Sequence, residues 1–160
     1  MASIDELRLP FAEAILAMVA AVRRLTVTPG QRSRLIEAVS DDIRKYTDLL
    51  TPDVSVAAKA EADRLGIDLS RQGWHDQGKF DAGREVFLFE HMVPVSNIRS
   101  LCLKATSVQE IDAILRDKSR IVWILRKENE RLNELGYGSD RADPEVAYSR
   151  AGILIVGERT

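Results

Sequence analysis

The chain is poor in the residues from which catalytic centres are most easily read. Its 160 residues include one cysteine, Cys102, and two histidines, His75 and His91. A lone cysteine excludes an intrachain disulfide and a multi-cysteine zinc site. Between Leu101 and Leu103 it reads as a small buried hydrophobe. Excess charge is also missing: 23 Lys and Arg against 25 Asp and Glu give a formal net charge of -2. That is not the balance of a generally basic nucleic-acid-binding chain, although a local basic patch stays open. No apolar run is long enough to span a bilayer, and the first residues lack the basic start and apolar core of a signal peptide. The expectation is a cytoplasmic protein. Internal repeats and low-complexity segments are absent.

What is present is ordinary globular material. Hydrophobic residues make up 45% and charged residues 30% of the chain, enough for one domain with a real core. From Asp5 to about Leu25, the residues Ile15, Met18, Val19, Val22 and Leu25 recur at helical spacing. Pro10 places the regular start there rather than at Asp5. A second helix is expected from Gln31 to Leu50. A third is expected from a Thr51-Pro52 cap through an alanine-rich face to Gly66. Residues 1–66 thus read as a three-helix layer. Residues 66–83 are rich in glycine and polar groups but carry Trp74 and Phe80, as an ordered loop does.

Beyond the loop the pattern changes. A strand is expected from Glu85 to Phe89, then a short helix from Val95 to Lys104. Ser107-Val-Gln-Glu110 opens a further helix with a capping-box pattern. Arg120-Ile-Val-Trp-Ile-Leu125 reads as a strand buried on both faces. A helix follows from Lys127 to Leu135, and Asp143-Pro144 starts a last short helix ending at Gly152. Ile153-Leu-Ile-Val156 suggests a closing strand.

The stretch with most chemical content is Phe87-Leu-Phe-Glu90-His91-Met-Val-Pro94. A β-prone run that delivers Glu-His and is then stopped by proline sets two proton- or metal-active groups at a strand mouth. The other strand, Ile121 to Leu125, runs into Arg126-Lys-Glu-Asn129 and a helix. Strand with Glu-His-x-x-Pro, strand, then helix with an early asparagine resembles the ββα-metal finger of HNH endonucleases. The resemblance covers about residues 86–132. It implies an α+β fold in one domain, 1–160. The three-helix layer would be followed, over 67–160, by a ββα-like core with an inserted helix.

The same resemblance implies roles. His91 would be the general base that activates water, since a neutral imidazole has an unperturbed pKa of about 6.5. Glu90 and Asn129 would be oxygen ligands to one divalent cation, Mg²⁺ or Mn²⁺. The third ligand is open among Glu128, Asn129 and Asn133. The middle residue that steadies the base is open between Asn97 and Ser119. The implied activity is metal-dependent hydrolysis of phosphodiester bonds, in DNA rather than RNA, in a bacterial defence, phage or mobile-element setting.

Several other residues have two readings. Arg116, Lys118, Arg120, Arg126, Lys127 and Arg131 form a locally basic region that is either a solvated face or a phosphate contact. Arg84, Arg126 and Lys127 are the candidate substrate contacts. Asp81 and Arg84 bracket a glycine as a structural clamp or a substrate contact. His75, Tyr137 and Tyr148 read as packing or surface groups first. The alternative to a nuclease is a non-catalytic mixed α/β interaction module in which Glu90 and His91 are structural. A second copy or a partner protein is open under either reading.

Overall fold

The computed structural model describes residues 2–24 and 26–158; Leu25, the last apolar position of the first helical stripe, lies outside them. The fold is α+β, with eight helices and a three-stranded sheet among the described residues. The chain divides into two compact units, Met1–Leu50 with Val95–Ser119, and Thr51–Pro94 with Arg120–Thr160. Among the described residues no helix is long and apolar enough to cross a membrane.

The first unit is helical. Helix α1 (Ile4–Arg24) runs through Pro10 without a break and so starts earlier than Pro10 suggested. It buries Ala12, Ile15, Val19 and Val22, the core stripe of an amphipathic helix. Helix α2 (Pro29–Thr47) begins at a Thr28–Gln31 capping box, which satisfies two end donors reciprocally. It buries Val39, Ile43 and Tyr46 and packs on α1. Two helices from later in the chain complete the unit, and both pack against α1. Arg8 Nε donates to Asp112 at 2.8 Å and ties α1 to the later of them.

The second unit holds the sheet. Strand β1 (Asp53–Val54) precedes helix α3 (Val56–Leu65). The helix is capped by Ser55, whose Oγ accepts from Ala58 N, and not by Thr51. Gly66 closes it at φ 72°, a left-handed position that favours glycine. The expected three-helix layer therefore divides: α3 belongs with the sheet, whereas α1 and α2 form the helical unit. The polar loop folds into short helical turns and a one-turn helix, α4 (Gln77–Phe80). Strand β2 (Phe87–His91) follows. The chain then supplies the first unit with α5 (Val95–Cys102) and α6 (Val108–Lys118, capped by Ser107) before returning. Strand β3 (Ile121–Leu125) leads directly into α7 (Arg126–Glu134), and α8 (Pro144–Arg150) starts at Asp143.

The sheet order is β1-β3-β2. β3 is the central strand and buries Ile121, Val122, Trp123 and Ile124, as its continuous apolar run requires. β1 is parallel to it, and β2 is antiparallel with Phe87 opposite Leu125 and His91 opposite Ile121. One face carries Phe89, Phe87 and Phe80 in a tilted aromatic cluster with Trp123. The other joins Val122 and Ile124 to Leu132, Ala147, Tyr148 and Ile153. The expected closing strand reduces to a bridge of Ser55 with Ile155, flanked by Val56 N→Leu154 O and Val156 N→Val54 O.

Candidate functional site

Strand β2 continues through Glu90 and His91, so the pair lies within the ladder rather than in a loop mouth. Alternation along a strand sends neighbouring side chains to opposite faces. Glu90 shares a face with Leu88, while His91 shares one with Phe87 and Phe89. The two groups expected to converge are thus set apart by the pleat. His91 is half-buried.

Glu90 is committed to the fold. Its Oε1 accepts from Arg141 Nη2 at 2.6 Å, with the Arg141 side chain 0% and the Glu90 side chain 16% exposed. Arg141 also donates from Nε to Tyr137 O at 2.6 Å and from Nη1 to His91 O at 3.0 Å and Met92 O at 3.2 Å. One guanidinium therefore fastens the end of β2 to the loop before α8. Burial pushes the Glu90 carboxyl above the usual range, and the adjacent Arg141 only partly offsets this. A carboxylate so placed is desolvated and already holds a cation.

The residues expected as further ligands lie elsewhere or are occupied. Antiparallel pairing brings the end of β2 to the start of β3, whereas Asn129 follows the end of β3. Glu90 is opposite Val122, three residues before Leu125, a spacing of roughly 10 Å at about 3.3 Å per residue. The expectation that antiparallel neighbours bring Glu90 and Asn129 to one end is therefore corrected by the register. Asn129 is half-buried in the first turn of α7. Asn133 is exposed, and its Oδ1 faces the turn at Gly138, where an added Cβ would meet it at 2.5 Å. Glu128 is 2% exposed. Its Oε2 accepts from Ser55 Oγ at 2.7 Å and from Leu125 N at 2.8 Å, so it caps α7 and ties that helix to β1 and α3. Among the described residues no group of three or more His, Cys, Asp and Glu side chains is arranged to hold a metal ion. Two of the expected carboxylates are thus already engaged within the protein, Glu90 by Arg141 and Glu128 by Ser55 and the Leu125 backbone.

Two of the basic candidates, Arg84 and Arg126, meet at the other end of β2. Arg126 Nε donates to Arg84 O, and the Arg84 guanidinium lies 4.2 Å from the centroid of the Trp74 ring. Lys127, which is exposed, is next in the chain. Trp74 is 38% exposed and has His75 against its edge. Arg84 has φ 55°, a left-handed conformation in a non-glycine residue, directly after Gly83 at φ 73°. Such backbone costs on the order of 1 kcal/mol or more and persists where surrounding contacts fix it. Here the contacts are the Arg126 hydrogen bond and the stack on Trp74.

Asp81 resolves toward the structural reading. It is 4% exposed, and accepts from Glu85 N, Val86 N, Phe87 N and Gln77 Nε2. Burial pushes its carboxyl up, but the donors from Phe87, Gln77, Val86 and Glu85 together hold it below the usual range. Gln77 Nε2 also donates to Phe87 O at 2.7 Å. With Arg141 on His91 O, these side chains cover much of the outer edge of β2, which blunts strand addition there. Cys102 is buried, and burial pushes its thiol up to about 11. It is an inert core residue at neutral pH.

Arg141 and the role of Trp74 under Arg84 were not legible as site features. Arg141 sits in a polar loop 51 residues from Glu90, and nothing in its local pattern marks a buried partner. Trp74 did carry a signal, as an aromatic anchor among glycines. The chain matches no family model, no curated protein and no solved structure.

Proposed function

We propose that the Thr51–Pro94 and Arg120–Thr160 unit is a non-catalytic interaction module that contacts the phosphate backbone of DNA through Arg84, Arg126 and Lys127 beside Trp74. The observation that carries this reading is a separation. The basic and aromatic groups gather where β2 begins and β3 ends, while Glu90 lies toward the other end of the sheet, held by Arg141. Guanidinium groups suit phosphate oxygens, and an exposed indole supplies a stacking face. Contacts of this type give affinity without base specificity.

Fluorescence anisotropy of a labelled duplex, titrated at several salt concentrations, tests it. Two to three phosphate contacts give a slope of log K against log salt of about -2 to -3. Arg84→Ala or Lys127→Ala lowers the slope by about 1. A salt-independent signal, or variants that bind as the parent does, overturns the assignment.

One observation favours a second reading. β2, β3 and α7 occur as an antiparallel pair followed by a helix, the order of the HNH ββα finger. An HNH-like, Mg²⁺- or Mn²⁺-dependent endonuclease with His91 as base requires Arg141 to release Glu90. Metal-dependent nicking of plasmid DNA that is lost in His91→Ala supports that reading over the first.

A further inference from the structure

Helix α1 buries one stripe and leaves another open. Ala12, Ile15, Val19 and Val22 are the buried one. Positions 13, 16, 17, 20 and 24 recur at the spacing of a second face, i, i+3, i+4, i+7 and i+11. That face floors a groove of about 650 Å³ in the first unit. Leu16, Ala17, Ala20 and Ala21 line it, and none of the four is fully buried. Leu9, 47% exposed, carries the apolar surface further toward the helix start. Glu13 stands toward one end of the groove and Arg24 toward the other. Both are exposed, and neither side chain makes a hydrogen bond or an ion pair among the described residues. The remaining charged residues of α1 all have partners: Asp5 with Arg8, Arg8 also with Asp112, Glu6 with Ser3 N, and Arg23 with Leu103 O.

We propose that this face docks a second copy of the chain, the two α1 helices lying antiparallel about a two-fold axis level with residues 18 and 19. The order of the two unpartnered charges selects that arrangement. Glu13 and Arg24 are eleven residues apart, about 16.5 Å along the helix and within about 20° of the same face. Antiparallel pairing sets Glu13 beside the partner's Arg24, and does so twice, as an isologous contact requires. Parallel pairing would set like charges together at both ends. Ala17 and Ala20 flank the axis and let the helices approach to about 8–10 Å, with Leu16 packing on its own copy. Exposed ion pairs add little affinity, but they decide orientation. One helix face falls short of the roughly 1,200 Å² of a stable interface, so the pair is a weak, reversible dimer. The inference concerns the first unit alone and does not depend on the DNA-binding reading.

Sedimentation equilibrium of the full chain, from about 10 µM to about 1 mM, tests it. A monomer–dimer equilibrium with a Kd on the order of 100 µM is expected, weakening as salt rises. Ala17→Arg places a long cation at the axis and should abolish the dimer. The position is exposed, so the circular dichroism spectrum should stay that of the parent. Glu13→Arg and Arg24→Glu should each weaken self-association about three- to tenfold, because two attractions become repulsions. The double exchange, Glu13→Arg with Arg24→Glu, should restore the parent's Kd, which a parallel pair or a mere change of net charge does not predict. A chain that stays monomeric to about 1 mM leaves the face to some other partner and overturns the proposal. So does an Ala17→Arg variant that dimerises as the parent does, or a double exchange no tighter than the single ones.

Discussion

Arg141 Nη2 lies 2.6 Å from Glu90 Oε1, and the arginine side chain is fully buried. The pair links strand β2 to a loop half a hundred residues away in sequence. Three backbone carbonyls, of Tyr137, His91 and Met92, accept from the same guanidinium. Removing one partner of such a pair strands the other in a poorly solvated place. Arg141→Ala is therefore expected to destabilise the protein by about 3–5 kcal/mol. Urea unfolding measures this, and a loss below about 1 kcal/mol would show that the pair does not hold the strand end.

The Glu90 carboxyl has a second, pH-dependent signature. Its folded-state pKa is raised, chiefly by burial. The native state therefore binds its proton more tightly than the unfolded chain. The stabilising contribution is fully present below the unfolded value, about 4.3, and is lost as pH rises through the folded value. Glu90→Gln keeps an acceptor for Arg141 but cannot ionise. Across that window the parent should lose stability relative to Glu90→Gln as pH increases. Thermal unfolding of both proteins from pH 4 upward checks the sign.

Asp81 predicts the opposite sign. Its carboxyl is held below the usual range by four donors despite its burial. That contribution is present above the unfolded value, about 3.9, and disappears as pH falls through the folded value. Asp81→Asn removes charge-assisted acceptance from the turn before β2. It should cost about 2–3 kcal/mol at pH 7 and much less at the acid end. A pH-independent difference would contradict the assignment.

The Ser55–Glu128 contact makes a test of the other buried carboxylate. Glu128 caps α7 through Leu125 N and accepts from Ser55 Oγ, while Ser55 itself caps α3. Ser55→Ala removes the acceptor of one helix and the donor to Glu128 together. A loss of about 2–4 kcal/mol in urea unfolding is expected, with the helix-cap share near 1. An effect equal to a lone cap would show that Glu128 is satisfied without Ser55.

Much of the fold was legible because it rests on local chemistry. The stripe of Ile15, Val19 and Val22, the Ser107 and Asp143 caps, Gly66 and the β-branched run of β3 each act within a few residues. The site was less legible because it depends on register and distant partners. Glu90 and His91 look like neighbours in sequence, but the pleat sends them to opposite faces. The antiparallel register, which no local pattern specifies, sets Glu90 opposite Val122, away from the end of β3 at which α7 begins. Two-residue β1 carries too short a pattern to be seen and displaced the expected cap from Thr51 to Ser55. By contrast, Arg84 and Arg126 meet because they flank the paired ends of β2 and β3, a relation that follows once those strands are paired.

The most direct test of the central claim is nicking of supercoiled plasmid by the purified protein with Mg²⁺ or Mn²⁺, compared with EDTA. If Glu90 serves the fold through Arg141, the plasmid stays supercoiled in all three conditions, and His91→Ala behaves as the parent does. Nicking that requires the metal and disappears in His91→Ala would contradict the account and establish the nuclease reading in its place.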